Sequence, residues 1–304
     1  MVAKIFIDGE AGTTGLEIRE RLLPRKDLTL LSIAADKRKD ESAKRDLLAQ
    51  ADLVILCLPD DAAKQTVALV DSLGAQAPRV LDASTAHRIA PDWVYGFAEL
   101  AKGHDEAIHQ AKKVANPGCY ATGAIALLRP LIDAGLIAPT SPLTINAVSG
   151  YSGGGKSMIE AYEARQAPDF ELYALGLEHK HLPEIVTYSK LDRRPLFVPS
   201  VADFRQGMLV SIPLHLDELP QRPKASDLQA ALQAHYADST FVKALGVDAS
   251  GKLEPQALNG TNNLELRVYG NDARHQAVLV ARLDNLGKGA SGAAVQNLDL
   301  MLGL

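Results

Sequence analysis

A chain of 304 residues is long for one compact core and comfortable for two domains. It is 47% hydrophobic and 23% charged with net charge −5, and no stretch concentrates Lys and Arg, which argues against a nucleic-acid partner. The apolar runs at 51–59 and 121–128 are too short to cross a bilayer, and no signal-peptide pattern opens the chain. Two cysteines make no disulfide framework, so the expectation is a cytoplasmic protein in a reducing compartment, without a membrane partner.

In chain order, residues 3–7 read as a strand, then a glycine turn, then a helix over 16–23 that Pro24 stops. Apolar strands are predicted at 28–35, 51–58, 79–83 and 112–115, with a helix at 60–73. Strands apolar throughout and separated by helices pair in parallel with both faces covered. That predicts an α/β fold, a doubly wound Rossmann-type parallel sheet. After about residue 140 strands dominate, at 143–148, 197–201, 208–216, 264–269 and 276–283, with an outer helix at 225–245. Val278, Val280 and Arg282 do not alternate cleanly with Leu279, Ala281 and Leu283, which leaves the sidedness of that strand open. This texture predicts an α+β catalytic domain on a mixed or antiparallel sheet. The last helix is placed at 289–304, with Ala290, Ala294, Leu298 and Met301 on one stripe. The expected division is a dinucleotide-binding domain over 1–117, completed by the C-terminal helix 286–304, and a catalytic, substrate and oligomerisation domain over 118–285.

Gly9, Gly12 and Gly15, with Thr13 and Thr14 between them, fill the first βα turn. Backbone N–H groups at a helix N-terminus can hold a phosphate there if no Cβ blocks the approach. The GxxGxxG spacing is weak by itself and also fits a tight turn; its place in the fold raises it. Asp36 at the end of the second strand is followed by Lys37, Arg38 and Lys39. Lys37 and Arg38 suit the 2′-phosphate of NADP(H), although the run also fits a solvated surface.

Cys57 lies in an apolar strand and reads as a core residue. Cys119 follows the Asn116-Pro117-Gly118 turn and opens a helical run. The positive end of the helix dipole favours a thiolate, a nucleophile and leaving group suited to acyl transfer through a thioester. His179 and His181 form a cluster flanked by Glu178 and Glu184. A histidine beside a thiol can move its proton, with a carboxylate fixing the ring. The same pair also fits a polar helix-capping loop; a third metal ligand is not evident, so no metal is expected. Gly150 through Ser157 formally matches GxxxxGK[ST], but no strand ending in a magnesium-binding Asp follows. Its backbone and Lys156 would equally suit a phosphate or carboxylate on a small substrate.

In this order the motifs resemble the shorter form of the N-acetyl-γ-glutamyl-phosphate reductase family, in the semialdehyde dehydrogenase superfamily. The resemblance runs the whole length: the 9–15 turn, 81–88, 94–100, Asn116-Pro-Gly-Cys119, 148–156, His179-Lys-His181-Leu-Pro-Glu184 and 284–297. Leu182 stands where the family often has Thr, and Ala83 and Thr85 depart from its commoner run. The resemblance implies NADPH-dependent reduction of N-acetyl-L-glutamyl 5-phosphate to the semialdehyde and phosphate, a step of arginine biosynthesis. It implies Cys119 as nucleophile and His179 as acid/base, with His181 and Glu184 supporting. Arg88, Asn116, Ser149, Gly150, Lys156 and Arg205 would contact substrate, Arg205 because 204–207 falls at the family's Arg-Gly position. Gly289 and Gln296, in the segment 285–297, would line the nicotinamide pocket. A homo-oligomer, dimer or tetramer, is implied through the second domain's sheet. The alternatives are a sister reductase acting on an aspartyl or aminoadipyl phosphate, a P-loop-like nucleotide hydrolase, and a non-catalytic dinucleotide sensor.

Overall fold

The computed structural model describes residues 2–38, 40–247 and 251–304; Lys39 of the cationic run lies outside them. Two compact units are present. The first comprises residues up to Ala98, Gly103–Pro117 and Ala290–Leu304, and the second Glu99–Lys102 and Gly118–Gly289.

The first unit holds a parallel sheet of β1 (Ala3–Asp8), β2 (Leu28–Leu31), β3 (Leu53–Leu56), β4 (Arg79–Asp82), β5 (Val94–Tyr95) and β6 (Lys113–Ala115), in the order β2-β1-β3-β4-β6-β5. Alternate side chains of the apolar strands go to opposite faces. Ile5, Ile7, Leu53 and Ile55 pack with Ile18 and Leu22 of α1 (Thr13–Leu22), Ile108 of α4 (His104–Gln110) and Leu298 and Met301 of α9 (Gly292–Leu302). Phe6, Val54, Leu56 and Val80 face Leu48 of α2 (Glu41–Gln50) and Ala63, Val67 and Val70 of α3 (Asp60–Asp71). The doubly wound prediction holds. The predicted second strand stops at Leu31, where its pairing with β1 ends, and residues 35–37 form a 3-10 turn. The two-residue β5 and the helix α2 were not anticipated; Asp40 caps α2, accepting from the N–H of Ser42 at 2.9 Å and of Ala43 at 3.2 Å.

The second unit holds a mixed sheet of β7 (Thr144–Gly150), β8 (Phe170–Leu172), β9 (Leu196–Ala202), β10 (Met208–His215), β11 (Val242–Ala244), β12 (Leu264–Asn271) and β13 (Gln276–Leu283), in the order β11-β12-β13-β10-β7-β9-β8. One face is buried under α5 (Cys119–Asp133) and α8 (Ala225–His235), and α7 (Leu182–Ser189) packs on α5. Burial does alternate along β13: Ala277, Leu279, Ala281 and Leu283 are buried, with Val278 on the open side. That open side carries a shallow groove lined by Phe170, Leu172, Leu209, Tyr269, Val278 and Val280.

Two predicted helices differ. The one expected to reach 245 ends at His235, because Ser239 turns the chain, accepting from the Val242 N–H at 2.9 Å, and Val242 enters β11 fully buried. The final helix does not begin at 289 as an α-helix. Residues Gly287–Ser291 form a π turn, in which the Gly289 N–H donates to the Asp284 carbonyl at 2.9 Å, and α9 starts at Gly292.

Candidate functional site

In the first unit the strand order reverses between β1 and β3, and crevices of doubly wound sheets open at such a point beyond the strand ends. A cavity of about 850 Å³ lies there, lined by Gly9, Glu10 and Ala11 after β1, Leu58 after β3, and Arg38, Lys44 and Arg45. Gly9 has φ +93°, and a Cβ on it would sit 2.3 Å from the Cys57 carbonyl oxygen, so only glycine fits. Gly12 is the N-cap of α1 and no side chain caps that end, which leaves the turn through Thr13, Thr14 and Gly15 suited to a phosphate. Shape, uncapped helix end and cations together fit a phosphorylated dinucleotide. Of the predicted cations, Arg38 lines the cavity and Lys37 is an exposed residue of the adjoining turn. Lys44 and Arg45, both on α2, were missed; Lys44 Nζ is 2.8 Å from the buried Asp8 carboxylate, and Arg45 donates to Ser72 Oγ at 2.8 Å. The Asp40 cap followed by 41–50 was the available signal for them.

Arg88 is buried and donates from Nε to the Asn116 carbonyl at 3.0 Å. The Asn116 side chain donates to the Ala290 carbonyl and accepts from Asn297, both at 3.0 Å. These two predicted substrate contacts thus tie the loop before Cys119 to α9. Gln296 is half-buried on that helix.

In the second unit Cys119 is the first residue of α5, as the turn predicted, and it is half-buried. The preceding Gly118 N–H donates to Glu184 Oε2 at 3.1 Å. Glu184 stands in the first turn of α7, whose N-cap is His181, so this one bond joins the starts of two helices. Around it the rings meet edge-on or tilted: Tyr120 lies 5.7 Å from the His179 ring and 5.9 Å from His181, and the two histidines are 4.7 Å apart. His179, His181 and Glu184 are all buried. Tyr173 was missed; its hydroxyl is 3.4 Å from His179 Nε2, and nothing in its sequence neighbourhood marked it. Burial raises the pKa of Tyr173, with the charge of Cys119 adding to it, so the phenol stays protonated beside the thiol. Cys57, by contrast, has its thiol pushed up to about 12 by burial and by Asp82 and Asp8. Gly289 forms the wall behind Cys119: a Cβ there would be 2.7 Å from Cys119 Cβ.

The first three N–H groups of the P-loop-like segment are engaged inside the unit. The N–H groups of Gly150, Tyr151 and Ser152 donate to the carbonyls of Gly207, Phe204 and Arg205 at 2.9, 2.9 and 3.0 Å. Ser149 is buried, its hydroxyl donating to the Gly150 carbonyl. Lys156 is exposed, 3.7 Å from Glu160, and Arg205 is half-exposed, 2.8 Å from Glu163. No group of metal-ligating side chains is found among the described residues, and no helix there is long and apolar enough to cross a membrane.

A dinucleotide-type α/β unit joined to an α+β unit with a mixed sheet is the architecture of a class of two-domain oxidoreductases, and the chain belongs to the semialdehyde dehydrogenase family. Residues 4–111 match its NAD binding domain and residues 119–285 its dimerisation domain. The chain is 54% identical over 309 aligned residues to the N-acetyl-gamma-glutamyl-phosphate reductase of Chelativorans sp. (strain BNC1), covering 99% of each chain. It is 52% identical to the protein of that name from Brucella ovis, over 100% of both chains. Among solved structures, aspartate semialdehyde dehydrogenase II from Vibrio cholerae shares the fold, with TM-score 0.73 and 16% identity over 100% of this chain and 99% of that one.

Proposed function

We propose that this protein reduces N-acetyl-L-glutamyl 5-phosphate to N-acetyl-L-glutamate 5-semialdehyde with NADPH, through a thioester on Cys119. The observation that carries the reading is Cys119 at the start of a buried helix, bonded through Gly118 to the helix that follows the histidine pair. Full-length identity above half to reductases of that name selects the substrate. The Cys119 thiolate attacks the acyl carbon, the C–O bond to phosphate breaks, and phosphate leaves with the electron pair. Bound NADPH supplies the hydride that reduces the thioester. His179 attends the acyl oxygen, His181 and Glu184 hold the two helix starts together, and Gly289 keeps the thiol's back wall close. Arg88, Asn116, Ser149, Gly150, Lys156 and Arg205 belong to the substrate side, with the last two reaching it by swinging away from their surface carboxylates.

The test is the reverse assay. N-acetylglutamate semialdehyde, phosphate and NADP should give NADPH with kcat/KM about 100-fold above that for aspartate or aminoadipate semialdehyde, since a site built for the acetamido group penalises a substrate lacking it. A faster reaction with either rival would transfer the protein to a sister activity.

NADP is preferred over NAD in this reading because Arg38 and Arg45 line the cavity beyond the second strand. Arg38→Ala and Arg45→Ala should each raise the KM for NADPH about tenfold while leaving that for NADH within about twofold. Equal effects on the two cofactors would remove the 2′-phosphate from these side chains. The same reading makes the enzyme cytoplasmic, where the thiols of Cys57 and Cys119 stay reduced. It also pairs two copies, as a dimer or a dimer of dimers, through the open sheet face bearing Phe170 and Leu172, which are 56% and 49% exposed.

A further inference from the structure

His179 and His181 are separated by one residue, yet a single backbone contact gives His179 a defined role. The His181 backbone N–H donates to His179 Nδ1 at 3.1 Å. A backbone amide can only donate, so Nδ1 must present its lone pair, and the proton of a neutral His179 ring sits on Nε2. A second proton, on Nδ1, would point straight at that amide hydrogen. The ring is fixed in this orientation by edge contacts with Tyr120 at 5.7 Å, Phe197 at 5.0 Å and His181 at 4.7 Å. Nε2 lies 3.4 Å from the Tyr173 hydroxyl, and the ring packs on Tyr120, the residue that follows Cys119 in the first turn of α5. The Nε2–H therefore points toward Tyr173, from a ring held against the first turn of α5.

We propose that His179 acts as a neutral hydrogen-bond donor, through Nε2–H, to the oxygen of the acyl group carried on Cys119, and is not the base that removes the thiol proton. The inference rests on the covalent reading given above. Hydride addition to the thioester carbon leaves an alkoxide, which the Nε2–H holds. Collapse of that alkoxide re-forms the C=O bond, breaks the C–S bond and returns the electron pair to Cys119 as thiolate. These two steps neither take up nor release a proton, so a donor that never ionises suffices. The thiolate itself is favoured by its place at the start of α5. A neutral imidazole polarising a carbonyl in this way is established chemistry in enzymes.

Two measurements on the full-length protein decide it. Nitrogen NMR of isotope-labelled histidines near neutral pH, assigned with His179→Gln, should show His179 unprotonated at Nδ1 and protonated at Nε2. A ring protonated at Nδ1, as the other tautomer or as the cation, overturns the proposal. Alkylation of Cys119 by iodoacetamide should stay within about twofold of wild type in His179→Ala and His179→Gln. In the same variants kcat should fall about 100- to 1,000-fold for Ala, the usual cost of an oxyanion donor, and about tenfold for Gln, whose amide keeps an N–H. Alkylation slowed tenfold or more in both variants would make His179 the thiol's base and overturn the proposal. Turnover in Cys119→Ala would instead sink the covalent reading, so the two failures are distinguishable.

Discussion

Cys119→Ala is expected to lower kcat by about 10,000-fold or more while leaving the fold intact, because in the proposed mechanism every chemical step passes through a bond to its sulfur. The position explains both halves of that expectation. Cys119 is the first residue of α5, so its side chain does not belong to the apolar stripe that carries the helix on the sheet. Removing the sulfur takes away reactivity and little packing. The second thiol provides an internal control: Cys57 is pushed up to about 12 by burial, with Asp82 and Asp8 adding to it, so near pH 8 it carries almost no thiolate. Iodoacetamide at that pH should therefore add one label per chain, on Cys119, in step with loss of activity, and acyl phosphate should protect against it. Label on Cys57 accompanying inactivation, or full activity in Cys119→Ala, would remove covalent catalysis from the mechanism.

The contrast between the two cysteines was legible in the sequence, because each depends on local signals: an apolar strand around Cys57, a Pro-Gly turn before Cys119. The parallel sheet was equally legible, since its strands are apolar throughout and separated by helices. What stayed hidden depends on long-range contacts. Lys44 and Arg45 reach the dinucleotide cavity only because α2 runs beside β1, and Tyr173 meets His179 only because a short strand, β8, docks on β9. The glycine–lysine segment hid a related contact: its pattern matches a phosphate loop, but the N–H groups of Gly150, Tyr151 and Ser152 are used by the turn at 204–207. The π turn at Gly287–Ser291 could not be read from periodicity either, as an apolar stripe does not register one extra residue in a helix's first turn.

That π turn leads to the largest stability effect expected in the molecule. Lys288 within it is 1% exposed, with Nζ 2.8 Å from both carboxylate oxygens of Glu99 and 5.3 Å from the Phe241 ring centroid. Burial lowers the pKa of Lys288 and Glu99 opposes that shift, as expected for a buried cation paired with a carboxylate. Lys288→Met takes the cation away from the Glu99 carboxylate and should cost about 3–5 kcal/mol, lowering Tm by on the order of 10 °C. Replacing both partners, Lys288→Met with Glu99→Leu, leaves no stranded charge and should recover most of that loss. Activity should not return with stability. The ion pair anchors the residue next to Gly289, and Gly289 is the wall against Cys119. An apolar pair refills the space without fixing the turn's register, so the double variant should fold well yet keep kcat at least about tenfold low. A Lys288→Met variant within about 1 kcal/mol of wild type would mean that the pair adds little to stability, and a double variant with full kcat would separate this pair from the placement of Cys119.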